Sequence, residues 1–372
     1  MNRKVRKERI QASKIELSVP LEWPIYDNSG TILFKSGSRI YTEDQLMLLL
    51  GRDAHFLIDI HKEKIRNQHI FQRILHLITI LALTLDAVTR KKPDSNQRVQ
   101  QCVKMIDDIC EEDMDGALGA IHLFRDHSNA LLKPIFSGFL ANIMARRIRY
   151  PQSRKDDLVT GMILCNIASM TYQAELDAQT APLNKVQLEM IHQHPEEGVR
   201  IIMQAGINNT NVLKTVLQHH ERKNGEGYPR GVTDQDIHMD GKIAALCEFY
   251  VAVTGNRNYK PVKQPKEALS EIYGQANTQE PYLYMEFIKE LGAFPPGSII
   301  RLANKEVAVI TRRQKNVVAP IAKAILSPSG EVYTTAIKRD CNDVEFKILE
   351  TCKLDPKVKL DLVTLWDYQH VD

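Results

Sequence analysis

Two adjacent histidines open the run His219-His220-Glu221-Arg222-Lys223-Asn224-Gly225-Glu226-Gly227-Tyr228-Pro229. Imidazole is a common ligand for divalent metals. Val212, Leu213, Val216, Leu217 and His220 recur at helical spacing, which predicts a helix with His220 facing inward and His219 close beside that face. A second helical pattern, Val186, Met190, Ile191 and His194, brings a third histidine inward. The loop Asn224-Gly225-Glu226-Gly227 can cradle a phosphate through backbone N–H groups, or can be a structural turn that needs Gly at positive φ. Glu221 and Glu248 are acid–base candidates, or simply hydrogen-bond partners of the histidines. His192 falls off the inward line and is expected on the solvated side.

The run from His219 to Pro229 closely resembles the HD-GYP signature HHE-x-x-D-G-x-G-Y-P, with Asn224 where that family has Asp. Upstream, Glu189 to Gly198 is similar to the helix that precedes the signature, and His194 matches its metal histidine. Downstream, Glu248 to Lys260 resembles D-x-Y-D-A-L-T-S-x-R-P-Y-K/R. The resemblance covers roughly residues 125 to 292. It implies a bacterial helical hydrolase of cyclic di-GMP in which two or three metals, often iron, perform two-metal catalysis. It also implies ligand contacts at Arg257 and Lys260, with Gly225, Gly227 and Tyr228 of the loop, and a loop surface that docks diguanylate cyclases.

The pattern breaks at the name-giving pair. Aligned backwards, His-Asp becomes Cys165-Asn166, the following Lys becomes Ser169, and a later metal-binding Asp becomes Val251. His127 is the nearest upstream histidine. Asn166 cannot supply the anionic clamp between two metals, and Val251 supplies no ligand, so a dinuclear centre should be severely weakened. The residual metal candidates are His194, His219, His220 and Cys165. A Cys165 thiolate with three histidines would suit one zinc; a buried Cys165 that merely fills space is the simpler reading. The site then holds no metal, one zinc, or iron or manganese.

The elements that must position these residues follow from patterning. The fold expected is mainly α: a helical HD-domain bundle (66–292), with a small N-terminal α+β module (1–65) and a short β-rich C-terminal appendage (293–372). In the first part Ile15, Leu17 and Val19 alternate. Trp23 to Tyr26 and Thr31 to Phe34 flank an Asp27-Asn28-Ser29-Gly30 turn. Thr42 caps a helix with Gln45 at its third position, and Gly51 ends it. Breaks in the helical part fall at Pro134, Pro151, Pro182, Pro195 and Pro229. After the breaker Phe294-Pro295-Pro296-Gly297, the runs Ile299–Leu302, Val307–Thr311 and Val332–Thr335 read as strands, and Trp366 and Tyr368 pin the tail.

Composition sets the outer bounds. The chain has 372 residues, 43% hydrophobic and 26% charged, with 49 basic against 46 acidic side chains and a net charge of +3. That excludes a strongly basic nucleic-acid coat and a wholly disordered chain. Six scattered cysteines with no CxxC spacing and no signal-peptide pattern suit a reducing cytoplasm. The apolar run Ile74–Leu85 is shorter than the ~20 residues of a spanning helix, so it is expected to be a buried or homodimer-forming helix. Arg146-Arg147-Ile148-Arg149 reads as a solvated face. The leading functional expectation is a non-catalytic cyclic di-GMP signalling protein that binds a partner, such as a diguanylate cyclase, or the nucleotide itself. The competing ones are a metal-dependent phosphodiesterase with an altered site and a plain scaffold.

Overall fold

The computed structural model describes residues 5–12, 15–21, 23–59, 68–124, 131–179, 181–255, 263–274 and 280–368. The chain forms two compact units that divide after His69.

In the first unit, strands β1 (Val5–Arg9), β2 (Ile25–Tyr26), β3 (Ile32–Phe34) and β4 (His55–Asp59) pair in the order β1-β4-β2-β3, all antiparallel. The β2–β3 turn is held by the Asp27 carboxylate, which accepts from the N–H groups of Ser29 and Thr31. Helix α1 (Glu43–Gly51) starts at Thr42, whose hydroxyl accepts from the Gln45 N–H. The Gln45 side chain reaches back one residue beyond the cap, to the N–H of Tyr41. Ile15 to Val19 makes no strand: Ser18 adopts φ 65 and donates its N–H to Ile40 O. Leu21, Ile25, Ile40, Leu49 and Phe56 close a small core.

The second unit begins with α2 (Ile70–Thr89), α3 (Ser95–Glu112), α4 (Met114–Leu123), α5 (Leu132–Arg147) and α6 (Gln152–Leu164). Helices α7 (Met170–Ala178), α8 (Lys185–Gln204), α9 (Thr210–Gln218), α10 (Met239–Thr254), α11 (Pro265–Gly274) and α12 (Pro281–Leu291) complete the bundle. By length and composition α2 could cross a membrane, since it extends the apolar run to 20 residues. Half of its apolar window is buried inside the unit, with Ile70, Ile74, Leu77, Leu81 and Val88 in the common core. The arginine cluster is not a free basic face: Arg146 pairs with Asp107, and Arg147 with Glu286.

Two expectations on α8 fail. Val186 and Met190 are exposed, and the buried residues are His194, Pro195, Gly198 and Ile202 further along. Pro195 does not break the chain but sits inside the helix.

The C-terminal part is a five-stranded antiparallel sheet ordered β8-β7-β6-β5-β9. Its strands are β5 (Ile299–Leu302), β6 (Val307–Arg312), β7 (Ile321–Leu326), β8 (Val332–Asp340) and β9 (Ile348–Thr351), followed by α13 (Leu362–Leu365). Strands β7 and β9 escape the sequence pattern. The sheet shares its unit with the helices. Pro296 O meets His122 Nδ1 at 2.5 Å, and His122 Nε2 lies 2.8 Å from the Tyr250 hydroxyl. Trp366 is buried against Gly119, where a Cβ would come within 2.3 Å of the indole, and its ring meets Phe71 edge-on at 5.3 Å. Trp366→Ala should therefore cost about 3–5 kcal/mol. A urea unfolding midpoint equal to that of the parent would show that the tail does not anchor there.

Candidate functional site

The three histidines meet because two helices surrender backbone carbonyls to them. Pro195 has no N–H, so the carbonyl of Ile191, four residues earlier, lacks its usual helical donor. The His194 ring takes that carbonyl, with Nδ1 2.6 Å from Ile191 O. At the end of α9, Val216 has one of the orphan carbonyls of a helix C-terminus, and His219 Nδ1 lies 2.7 Å from it. Both Nδ1 atoms therefore carry the proton, and both Nε2 atoms present lone pairs. Those two Nε2 atoms face each other at 3.1 Å. The ligand atoms of His194, His219 and His220 all lie within 4.8 Å of one another.

Burial keeps the rings neutral. It lowers His194, brings His219 down to about 3, and takes His220 well below its usual range. A donor set of neutral imidazoles, with the Nδ1–H of His194 and of His219 fixed by a carbonyl, suits a bound metal ion.

Glu248, on α10, is the carboxylate that faces this cluster; its side chain is 4% exposed. Val251 is buried in the apolar core, while Glu248, one turn earlier, reaches His219. Glu248 Oε1 accepts from the Asn166 amide at 2.5 Å, and from the Cys165 thiol at 3.6 Å. Lys133 Nζ, from the first turn of α5, stands 3.5 Å from the same oxygen. Burial opposes the charge on Glu248, but the Lys133 ammonium, then His219 and the Asn166 amide, outweigh it and hold the carboxyl below its usual range.

Cys165 and Asn166 lie just past the last turn of α6 rather than on a helix face. The zinc set of Cys165 with all three histidines is not assembled. Cys165 groups with His219 and Glu248, apart from His194 and His220. Burial, and then the neighbouring Glu248 charge, push its thiol far up, so it stays protonated, its one S–H shared between Met162 O at 3.1 Å and Glu248 Oε1 at 3.6 Å.

The loop after His220 is built by close packing. A Cβ on Gly227 would lie 2.3 Å from the Arg222 N and 2.5 Å from the Glu221 Cα. Gly225 has φ +77. The buried Glu221 carboxylate accepts from the N–H groups of Arg230 at 2.8 Å and Val232 at 3.1 Å. Three of the N–H groups that a phosphate cradle in this loop would use are taken by the chain itself. The N–H of Gly225 goes to Arg222 O, that of Glu226 to the Asn224 side chain, and that of Tyr228 to His220 O. What the loop presents is the Tyr228 ring, 4.5 Å from both His192 and His220. His192 is exposed, as expected, and this stacking gives it a neighbour that helical spacing does not reveal.

Arg257, Lys260 and His127 lie outside the described residues. Lys133 is the site residue that sequence reasoning missed. Its only signal is a lone charge in the apolar stretch Leu131-Leu132-Lys133-Pro134-Ile135-Phe136.

These donors can be tested against the metals that the resemblance implies. A close pair of divalent ions needs a bridging anion. Among the described residues Glu248 is the one carboxylate grouped with the histidines, and the Asn166 amide spends its N–H on it. A two-metal centre does not fit. A single ion does fit the three histidines, since metal–nitrogen bonds of ~2.0–2.1 Å put neighbouring ligand atoms about 3.3 Å apart.

Residues 122–280 match the family model described as HD domain. The chain is 24% identical over 193 residues to a cyclic di-GMP phosphodiesterase of Pseudomonas aeruginosa, covering 52% of this chain and 45% of that protein. It is 30% identical over 139 residues to a cyclic di-GMP phosphodiesterase of Thermotoga maritima, covering 36% and 33%. A cyclic di-GMP phosphodiesterase response regulator of Xanthomonas campestris is 20% identical over 222 residues, covering 59% and 57%. The matches thus span between a third and somewhat over half of these relatives' lengths. Over residues 122–280 this chain is similar to HD domains, and the curated relatives it matches there are cyclic di-GMP phosphodiesterases.

Proposed function

We propose that this chain is a cyclic di-GMP signalling protein that binds without hydrolysing, acting through the nucleotide or a partner protein such as a diguanylate cyclase. The observation that carries the reading is Asn166. Its amide points a donor at Glu248 where a two-metal hydrolase needs a bridging acceptor. Ligand phosphate would be met by Arg257 and Lys260. The partner surface would be Tyr228 and Pro229 with the exposed start of α8; Lys185, Leu188, His192 and Glu196 line a groove beside Pro229.

A second reading is a metal-dependent phosphodiesterase with an altered site, favoured by the converging lone pairs of His194 and His219. In it, His194, His219 and His220 hold one ion, which when bound would polarise a phosphoryl oxygen.

Calorimetric titration with cyclic di-GMP, followed by chromatography of the same samples after incubation with manganese or iron, separates the two. Binding with the cyclic dinucleotide recovered intact is expected. Linear dinucleotide in the metal-containing samples would establish the second reading, and binding of neither nucleotide nor partner would leave a plain scaffold.

A further inference from the structure

The Glu248 carboxyl is buried, and its neighbours include hydrogen-bond donors: the Asn166 amide and the Cys165 thiol both lie against it. Amides and thiols do not neutralise a carboxylate. Among the described residues, the Lys133 ammonium is the one Lys or Arg cation within ion-pair distance, at 3.5 Å. Its helix, α5, packs along α10, which carries Glu248. Lys133 stands in the first turn of α5 directly before Pro134.

We infer that the Lys133 ammonium is a built-in cation of this site: it balances Glu248 and closes the Cys165–Asn166–Glu248 corner to a metal ion, leaving only the three-histidine corner open to one. A divalent ion entering the closed corner would meet a like charge beside its only carboxylate. It would also have to displace a thiol proton and an amide donor already committed to that carboxylate. The inference rests on the non-hydrolytic reading above, for which it supplies a physical cause.

The test uses the full chain, stripped with a chelator and titrated with zinc or manganese, with bound metal counted by elemental analysis after gel filtration. The parent is expected to retain no more than one equivalent. Lys133→Met should gain one further equivalent. In chelator it should melt about 5 °C or more below the parent, because a buried carboxylate is left unpaired. Adding Glu248→Gln to that variant should restore the melting temperature and abolish the extra equivalent. Two equivalents in the parent would overturn the inference. So would a Lys133→Met protein with the parent's melting temperature and stoichiometry. If Lys133→Met does not fold, Lys133→Arg keeps the cation and should behave as the parent; two equivalents in that variant would refute it. Turnover of cyclic di-GMP by the parent would sink the non-hydrolytic reading and leave these metal counts standing on their own.

Discussion

Gly227→Ala should unfold the loop that follows the histidine pair and abolish ligand binding there. The added methyl has nowhere to go. Its nearest neighbours are backbone atoms of Glu221 and Arg222 at 2.3–2.6 Å, not side-chain ends that could swing away. The loop backbone must therefore shift, and Glu221 has to release the N–H groups of Arg230 and Val232 that it holds. Tyr228 then leaves its place beside His192 and His220. Overpacking of this kind costs about 3 kcal/mol at the upper end of its usual range. A loss of about 100-fold in affinity for cyclic di-GMP corresponds to roughly 2.7 kcal/mol. Gly225→Ala is the control. It meets no backbone atom closer than 3.4 Å and pays only for its positive φ, about 1 kcal/mol. Equal calorimetric affinities for the two variants would show that close approach at Gly227 does not shape the loop.

Asp107→Ala should strongly destabilise the helical unit. The Asp107 Oδ1 accepts from Lys155 Nζ at 2.5 Å, Arg146 Nη2 at 2.6 Å and Asn142 Nδ2 at 2.9 Å, while Gln152 approaches the other oxygen at 3.1 Å. One carboxylate thus ties α3 to α5 and α6. Removing it leaves the buried Lys155 ammonium without its anion. Orphaning one member of a buried pair costs about 3–5 kcal/mol, or roughly 10 °C of melting temperature for a unit of this size.

The same group sets a pH dependence. Burial opposes the Asp107 charge, but hydrogen bonds from Lys155, Asn142 and Arg146 outweigh it and hold the carboxyl well below its usual range. A carboxylate depressed in the folded state contributes fully above its unfolded pKa of about 4, and that contribution is lost as pH falls toward the folded value. Melting temperature should therefore drop between pH 5 and pH 3 more steeply in the parent than in Asp107→Ala, by only part of the variant's deficit at pH 7, because the rest is lost below pH 3. Parallel curves would show that Asp107 is not the group responsible.

The sequence by itself determined the helical class, a β-rich tail, the three histidines and the loop between Glu221 and Pro229. Each of these is a local pattern: apolar residues at helical spacing, turn residues between short strands, and a run of fixed order. It could not decide the state of the metal site, because that depends on which side chains cross between helices. Glu248 and Val251 are three residues apart on α10, and only packing turns the first toward His219 and the second into the core. Pro195 reads in sequence as a breaker, yet inside α8 it frees the carbonyl that orients His194. Lys133 is 115 positions from Glu248, as 248 − 133 shows, and no pattern links them. Their pairing exists only once α5 lies along α10, because a buried charge recruits its counter-ion through space and not along the chain.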